Sequence, residues 1–440
     1  MKQKTNKLFS NDPLLAQYHE AIDGRHSYYQ QRLTRLLGNR RRKLSPFANG
    51  HLYYGLHRMK DHSWVFREWL PYAERVVLIG DFNGWREEDG FALRRINAHG
   101  DWELTLAPDT LKHGQLYRMK VYWASGCGDR LPVWCRRAVQ DSQTAQFSAL
   151  VWSPEQPYEF KVKDFRPCRE SLFIYEAHIG MATCEERVGT YDEFRIHILP
   201  RIAKLGYNVL QLMAIQEHPY YGSFGYHVSN FFAPSSRFGT PEQLKQLIDE
   251  AHRMGIAVVM DLVHSHAVRN TDEGLAELCG CQSQFFHTGS RGLHPAWNSL
   301  CFNYGSDDVA HFLLSNCKYW LQEFHFDGFR FDGVTSMIYL NHGLGQDFTS
   351  YADYYNLNED GDAICYLTMA NQLIHEVNPY AITIAEEMSG MPGLASPINR
   401  CGMGFDYRLA MGIPDYWIRL LKEKVVISTS WAMSLAIPSG

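Results

Sequence analysis

The 440-residue sequence predicts an α/β protein with an incomplete (β/α)8-type barrel of about six strands. A β-sandwich and an N-terminal helical segment precede the barrel. Three observations predict this fold. Strand-like and helix-like stretches alternate from about residue 165, as they do around a parallel sheet. Short strand-like runs with turn signals fill residues 44–150, which is typical of a β-sandwich. Polar side chains follow five of the later strands, where a barrel builds its active site.

Residues 1–43 are predicted to form the N-terminal helical segment. Apolar side chains recur there near helical spacing, at Leu14, Leu15, Tyr18, Ile22, Tyr29, Leu33 and Leu36. Gly38 and Asn39 are a predicted helix end. Because one face is apolar, we expect this segment to pack against a later part of the chain.

Residues 44–150 are predicted to form the β-sandwich module. The strand-like runs are residues 63–69, 75–79, 102–106 and 116–122. Asn83-Gly84 and Ser125-Gly126 are turn signals between them. Several short strands over about a hundred residues favour two packed antiparallel sheets.

Residues 165–424 are predicted to form the barrel. Its strand-like runs are residues 172–176, 209–212, 257–263, 329–332 and 381–386, with a weaker sixth at 405–407. The clearest helix spans residues 240–254. Thr240 is its predicted N-cap, Pro241 its first residue, Gln243 the partner in a capping box and Gly255 its end.

The bulk composition describes a soluble protein of the cytoplasm. A net charge of −5 and a single short basic run at residues 40–43 argue against a nucleic-acid partner. The ten cysteines are scattered, which favours reduced thiols. No apolar stretch follows the first residues as in a signal peptide, and none approaches the ~20 residues of a membrane helix. We therefore expect no membrane partner.

Polar residues cluster at the ends of five predicted barrel strands. They are Glu176 and His178, then Gln216, Glu217 and His218, then Asp261, His264 and His266, then Asp332, and finally Glu386 and Glu387. Any one of them alone is more often a satisfied polar residue at a strand–loop junction. All five ends face one mouth in a barrel, so together they predict a functional site.

Asp332 ends a short buried strand, and Arg330 lies two residues earlier on the same face. Glu386 ends the next predicted strand. Two carboxylates about 5–5.5 Å apart suit a retaining glycosidase mechanism. Asp332 would attack the anomeric carbon, Arg330 would keep Asp332 ionised, and Glu386 would protonate the leaving oxygen.

The pair His264 and His266 after Asp261 also suits a barrel metallohydrolase. No other histidine pair at consecutive strand ends completes a ligand set. In a glycosidase, neutral histidine and aspartate bind sugar hydroxyls instead. The sequence favours that interpretation, and we predict neither a metal nor a cofactor.

At this point the motifs resemble a known family. Residues 261–266 (DLVHSH), 328–332 (GFRFD) and 384–387 (IAEE) resemble three signature regions of the α-amylase superfamily. Residues 211–218, 221–240 and 329–337 resemble the eukaryotic-type 1,4-α-glucan (glycogen) branching enzymes. Residues 80–85 (GDFNGW) are similar to the glycogen-binding β-sandwich module of that family. The resemblance covers residues 12 to about 424.

The resemblance implies a reaction in which an α-1,4 bond is cleaved and the glucan chain is transferred to a glucose O6. It makes Asp332 the nucleophile and Glu386 the acid/base. Arg330, Asp261 and His266 match donor-site positions. Tyr226 matches the aromatic residue under the bound sugar, and His227 lies beside it. The implied partner is an α-1,4-glucan such as glycogen. We expect Trp85 in the sandwich core rather than on a glucan.

The sequence departs from the family after Glu386. The family carries a third carboxylate, an Asp that follows a His at the seventh barrel strand, and no His-Asp pair occurs there. Residues 425–440 match nothing expected and are predicted to be a tail of foreign or out-of-frame origin. Six strands would leave two open edges. The chain alone is therefore expected to be inactive or poorly soluble unless a second chain completes it.

Two other functions stay open from the sequence. A related debranching or trehalose-forming hydrolase shares the plan of module plus barrel, and it would release free sugar. A non-catalytic glucan-binding protein would use the module and an inactive barrel. The length of the matches at 211–240 and 328–337 favours branching over both.

Overall fold

The computed structural model describes residues 8, 12–38, 43–410 and 412–423. The predictions for residues 1–7, for Asn39 and for the tail at 425–440 lie outside the described residues. The domain boundaries drawn from the sequence stay predictions.

The N-terminal segment is helical and packs on the barrel, as expected. A 3-10 turn at Pro13–Tyr18 leads into helix α1, His19–Leu37, which ends at Gly38 with a φ of 68°. Ile22 and Tyr29 are buried. Tyr28 donates a hydrogen bond to Asp362 (2.5 Å), and Arg32 donates to the carbonyl of Ser306 (3.0 Å). These contacts fix α1 against two later helices.

The module is a sandwich of two antiparallel sheets. A short helix α2, Gly50–Tyr53, precedes it. Its strands are β1 Gly55–Arg58, β2 Trp64–Trp69, β3 Ala73–Gly80, β4 Arg94–Arg95, β5 Asp101–Leu106, β6 Leu116–Trp123, β7 Gly126–Arg130, β8 Ala138–Gln140 and β9 Phe147–Leu150. One sheet has the order β1-β2-β5-β4 and the other β3-β6-β9-β8, with β7 also paired to β6. Four of these strands are the ones that the sequence predicts.

The expectation that Trp85 belongs to the sandwich core is wrong. Its side chain is 40% exposed. Trp85 has a φ of 62° and follows the left-handed Gly84, so the turn after β3 carries the indole outward. The indole N–H then donates to Asp81 (3.0 Å). Alternation along β3 predicts a core side chain only while the chain stays extended, and this turn ends that alternation.

Six parallel strands form the sheet of the barrel. The strands of this half are β10 Ile174–Ala177, β11 Val209–Leu212, β12 Gln216–Glu217, β13 Asn230–Pro234, β14 Ala257–Leu262, β15 Leu293–His294, β16 Ser299–Leu300, β17 Gly328–Phe331, β18 Ile382–Glu386 and β19 Tyr407–Leu409. The parallel sheet has the order β10-β11-β14-β17-β18-β19. Among the described residues its outer strands pair on one side only, so the prediction of a six-stranded, incomplete barrel is confirmed.

Helices follow or precede the strands of this sheet along the chain. They are α3 Tyr191–Glu193, α4 Leu199–Lys204, α5 Pro241–Arg253, α6 Asp307–Glu323, α7 Val334–Ile338, α8 Gly361–Val377 and α9 Gly412–Glu423. Thr240 caps α5 in a capping box with Gln243, and Gly255 follows with a φ of 78°, as predicted. None of the helices in the described part of the chain is long and apolar enough to cross a membrane.

One face of the sheet is concave and carries a small apolar cluster. Val209, Ala257, Val259, Ile382 and Ile384 form it. Side chains alternate between the two faces of a strand, so residues two positions beyond this cluster project from the same concave face at the strand ends. Gln211, Asp261 and Glu386 occupy those positions.

Candidate active site

The guanidinium of Arg330 lies at the centre of the strand ends and binds three carboxylates. Its Nη1 donates to both oxygens of Asp261 (2.7 and 2.9 Å) and to Oδ1 of Asp332 (2.9 Å). Its Nη2 lies 2.9 Å from Oε1 of Glu386. Arg330 is paired with Asp261 in the register of β14 and β17, and with Ile384 in that of β17 and β18. Three neighbouring strands therefore bring the predicted residues together.

The two predicted catalytic carboxyl groups have further donors. The hydroxyl of Ser265 donates to Oδ2 of Asp332 (3.3 Å). The backbone N–H of Gly333 donates to Oε2 of Glu386 (2.8 Å). Each carboxyl group is thus held at both oxygens, by Arg330 on one and by a neutral donor on the other. This fixes their orientation across the concave face before any substrate binds.

Burial raises the pKa of both Asp332 and Glu386, and the positive charge of Arg330 opposes that rise. Arg330 therefore favours the ionised form, as expected, but desolvation is the larger effect. Burial also raises the pKa of Asp261, to about 7, so the three carboxyl groups around Arg330 titrate together. Such a cluster can hold a proton that an exposed carboxyl group would lose. A nucleophile and a general acid need one ionised and one protonated carboxyl group.

A partly buried wall of sugar-binding candidates lies on the other side of Arg330. Tyr226 donates from its hydroxyl to Oδ2 of Asp261 (2.8 Å). Nε2 of His266 donates to the carbonyl of Tyr226 (2.8 Å). Burial lowers the pKa of His266 to about 4, so the ring is neutral at physiological pH. The ring of His227 lies 6.2 Å from that of His266. The structure thus brings four of the five predicted binding residues to this wall, and the fifth is Arg330 itself.

Gly225 sets the position of Tyr226. Its φ is 93°, and a Cβ on it would overlap the carbonyl oxygen of Ala214. Only glycine adopts that conformation at so close an approach without strain. The loop after β12 therefore depends on Gly225 to bring Tyr226 beside Asp261.

Five of the predicted strand-end residues lie in the buried interior and do not join the site: Gln216, Glu217, His218, His264 and Glu387. Glu217 is fully buried and accepts hydrogen bonds from Ser235 and from the N–H of Ser236. Glu387 is also fully buried and binds Ser389 and the N–H of Gly390. Both carboxylates fix loops that follow strands. The residues next to Glu217 and Glu387 in the sequence do not predict this role, because the hydrogen-bond donors come from loops that return to the carboxylates.

His264 is another of these residues, and its two ring nitrogens have partners in the core. Its Nδ1 lies 2.7 Å from the hydroxyl of Tyr366 and its Nε2 lies 3.0 Å from Asn316. Both nitrogens are therefore used inside the core, away from His266. In the part of the chain that the structure describes, no group of three or more His, Cys, Asp or Glu side chains is placed to hold a metal ion.

Glu176 and His178 end the outermost strand, β10. The carboxylate of Glu176 accepts a hydrogen bond from the amide of Gln211 (2.8 Å). Nδ1 of His178 accepts from the N–H of Met181 (3.1 Å), and its ring packs against Tyr221 and Phe224. These residues border the concave face but do not contact Arg330.

The sequence did not single out three contributors to the site. Ser265 and Gly333 supply the neutral donors described above. Trp297 lies at the mouth, with its ring centroid 4.9 Å from that of His266. Ser265 and Gly333 lie inside the recognised motifs, which could have drawn attention to them. Trp297 lies 35 residues before Asp332 in a loop, and no local pattern marks it.

Two protein families match parts of the chain. The carbohydrate-binding module 48 family (isoamylase N-terminal domain) matches residues 53–134. The alpha amylase catalytic domain family matches residues 194–274. The first match lies in the β-sandwich, and the second contains Tyr226, Asp261 and His266.

Longer relatives match most of the chain. The chain is 46% identical over 425 residues to 1,4-alpha-glucan-branching enzyme 2-2, chloroplastic/amyloplastic, of Arabidopsis thaliana, across 95% of this chain and 52% of that protein. It is 45% identical to the 1,4-alpha-glucan-branching enzyme of Equus caballus, across 95% and 60%. It is 48% identical to that of Yarrowia lipolytica, across 86% and 58%. The chain is a relative of the 1,4-alpha-glucan-branching enzymes. It spans 52 to 60% of the length of these relatives.

Solved structures agree on the fold of this relative of the branching enzymes. The GBS pullulanase SAP in complex with maltotetraose superposes with a TM-score of 0.57 at 19% identity, over 76% of this chain and 45% of that one. The catalytic module of the glycogen-degrading pneumococcal protein SpuA gives 0.56 at 18% identity, over 76% and 50%. At this identity the likeness concerns the fold alone.

Proposed function

We propose that the chain cleaves an α-1,4-glucan with retention and transfers the released chain to a glucose O6, which makes an α-1,6 branch. The observation that carries this proposal is the cluster in which Arg330 binds Asp332, Glu386 and Asp261 at three neighbouring strand ends. A nucleophile and an acid/base on adjacent strands are what double displacement at a sugar carbon requires. The names of the relatives support the glucan substrate and the branching outcome.

In the first step, Asp332 attacks the anomeric carbon and its oxygen forms an ester bond to that carbon. The glycosidic bond breaks at the same time, and Glu386 gives its proton to the departing oxygen. Arg330 is well placed for this step because it contacts both groups. Asp332 loses its negative charge when it forms the ester, and Glu386 becomes ionised in the same step. The guanidinium of Arg330 therefore has an ionised carboxylate partner throughout.

In the second step, the ionised Glu386 takes the proton from the O6 hydroxyl of an acceptor glucose. That oxygen attacks the anomeric carbon, and the ester bond to Asp332 breaks. Tyr226, Asp261 and His266 line the position of the sugar held on Asp332. The neutral ring of His266 suits hydrogen bonding to sugar hydroxyls. The aromatic ring of Tyr226 suits packing against the apolar face of a sugar.

The proposal is tested by incubating the 440-residue chain with amylose and measuring new α-1,6 linkages and new reducing ends. Asp332→Asn is expected to abolish both, and Asp347→Asn, at an exposed carboxylate, is the matched control. Reducing ends without α-1,6 linkages would make the protein a hydrolase. Amylose binding without Asp332-dependent turnover would make it a glucan-binding protein. Either result would overturn branching by this chain.

We further propose that the physiological substrate is glycogen and that the protein works in the cytoplasm, without nucleic-acid or membrane partners. The ten free thiols support a reducing compartment, and the net charge of −5 disfavours a polyanionic partner. Fractionation of cells that express the tagged chain tests this proposal. Co-sedimentation with glycogen particles is expected, and recovery in a membrane fraction would contradict it.

A further inference from the structure

Trp297 lies at the tip of a short hairpin beside the catalytic groups. The hairpin consists of β15 and β16, which pair antiparallel, and residues 295–298 form its turn. Leu300 of β16 also bridges to Ala267, next to His266. Arg269 donates to the side chain of Asn298 (2.8 Å). The hairpin is therefore attached to the segment that carries the sugar-binding wall.

The indole of Trp297 is held in one orientation by His294. The two rings stack with centroids 3.9 Å apart and planes 5° from parallel. Nδ1 of His294 accepts the backbone N–H of Trp297 (3.1 Å), so the ring proton is on Nε2, which donates to Ser336 (2.7 Å). His294 is 2% exposed, and this buried ring is a rigid support for the indole.

One edge of the indole lies beside a residue that binds a catalytic group. Cη2 of Trp297 lies 3.0 Å from the point where a side chain on Gly333 would begin. Gly333 is the residue whose N–H binds Glu386. At the other edge, the indole approaches the ring of His266 at 4.9 Å. Trp297 thus lies between a residue that binds Glu386 and a residue of the sugar-binding wall.

Trp297 is 36% exposed. Packing alone does not require so large an aromatic side chain to stay exposed at this position. Aromatic rings stack on the apolar faces of sugars in protein sites, where one face is covered and the other is free. We propose that Trp297 is the platform for the glucosyl unit on the Glu386 side of the cleft, which is the leaving sugar in the first step and the acceptor in the second. This inference rests on the proposed function.

The platform determines which acceptor the ester intermediate meets. A glucose unit stacked on Trp297 places its hydroxyl near Glu386, which removes the proton as the new bond to the anomeric carbon forms and the ester bond breaks. Without the platform, water takes the same position, loses its proton to Glu386 and yields a free reducing end. Trp297 therefore raises the ratio of transfer to hydrolysis.

The first experiment measures binding without turnover. Maltotetraose is titrated calorimetrically into the Asp332→Asn chain with Trp297 intact, replaced by Ala, or replaced by Phe. We expect Trp297→Ala to weaken binding about tenfold and Trp297→Phe to weaken it less than threefold. Tyr380→Ala, which removes a ring that is 42% exposed at the opposite end of the sheet, is the matched control. Equal affinity of the Trp297→Ala protein and its parent would overturn the proposal.

The second experiment compares products from amylose. In Trp297→Ala, α-1,6 linkages per reducing end are expected to fall about tenfold while Asp332-dependent bond cleavage continues. An unchanged ratio of α-1,6 linkages to reducing ends would overturn the platform role of Trp297 and leave the branching proposal intact. If the parent chain instead formed its products without Asp332, the branching proposal would be refuted. Circular dichroism checks each fold, and Trp297→Leu keeps the apolar volume if the Ala variant does not fold.

Discussion

Arg330 connects the chemistry of three side chains that come from three strands. One positive charge cannot balance one buried and two half-buried carboxylates, so the cluster retains a proton and titrates as a unit. Desolvation raises the pKa of Asp261, Asp332 and Glu386 alike. The acid/base role proposed for Glu386 requires that proton to lie on Glu386 when the glucan binds.

Glu386→Gln tests this assignment. The variant keeps the contact with Arg330 but can neither give nor take a proton, so we expect amylose cleavage to fall about 10³-fold. A maltosyl fluoride donor with azide as acceptor needs neither acid nor base. With the fluoride and azide, Glu386→Gln should therefore lose much less activity than it loses with amylose. Asp332→Asn should stay inactive with both substrates. Equal losses on both substrates would contradict the acid/base role.

The pH dependence of the wild-type chain has a defined sign. The pKa of Glu386 is raised, so its proton remains available to higher pH than that of an exposed glutamate, and cleavage falls as the pH rises above that pKa. On the acidic side, activity falls when Asp332 becomes protonated. When Glu386→Gln is assayed with maltosyl fluoride and azide, the fall in activity at alkaline pH should disappear and the fall at acidic pH should remain. A persistent alkaline limb would assign it to another group.

At the scale of elements, the strands and the best-marked helix follow local rules, and the loops do not. Helix α5 has its N-cap, first-turn proline and capping box where the sequence predicts them. The loop between β12 and β13 depends instead on a contact between Gly225 and Ala214, which lie far enough apart that no local pattern predicts it. Loops of this kind position Tyr226 and Trp297.

Gly225→Ala should destabilise the chain by about 3 kcal/mol or more, because the new Cβ overlaps the carbonyl oxygen of Ala214 and the φ is positive. Gly206→Ala is the matched control. Its φ is 84°, but no atom lies within 4 Å of its new Cβ, so the cost should be about 1 kcal/mol. Urea unfolding of both variants measures the difference. Equal costs would show that the loop moves to accommodate the methyl group.

Glu68 in β2 gives the module a pH-dependent stability. The side chain is fully buried and accepts the N–H of Val133 (3.0 Å) and of Trp69 (3.3 Å). Burial raises its pKa to about 8. The unfolded chain loses this proton near pH 4.3, so between these values the folded chain binds more protons. This contribution is complete below the unfolded pKa and is lost as the pH rises through the folded one.

The expected slope is a fall in unfolding free energy of up to about 1.4 kcal/mol per pH unit for this one proton. Glu68→Gln is neutral and nearly isosteric, so it should remove that part of the slope between pH 5 and 8. Urea unfolding at several pH values measures both proteins. Parallel curves for the variant and the wild type would show that Glu68 does not carry the effect.

At the scale of the whole molecule, the module and the barrel share one core. Trp134 follows the module strand β7 and is 5% exposed. Its ring packs 4.6 Å from Phe232 and 5.3 Å from Phe312, both of the barrel, and 5.2 Å from Tyr54. A hydrogen bond from Gln284 to the carbonyl of Trp69 (2.8 Å) joins the same two parts.

Trp134→Ala should lower the free energy of unfolding by about 3–5 kcal/mol, because it leaves a large cavity between the two parts. If the shared core couples them, the single unfolding transition of the wild type should separate into two in this variant. Trp85→Ala, which removes an exposed indole of the module, should change stability by about 0.5 kcal/mol or less. Calorimetry measures all three proteins. A single, unshifted transition in Trp134→Ala would contradict the coupling.

The sequence by itself determined the classes of structure and the two central carboxylates. The alternation of strands and helices, the capping of α5 and the charge pair Arg330–Asp332 are all local, so they can be recognised along the chain. Only the tertiary structure decided which strand-end residues share a site. In the structure, Glu217, His264 and Glu387 support loops and the core, Trp85 is exposed, and Trp297 lies at the mouth of the site. These outcomes depend on contacts between distant segments, and such contacts are set by packing and hydrogen-bond partners that no local pattern contains.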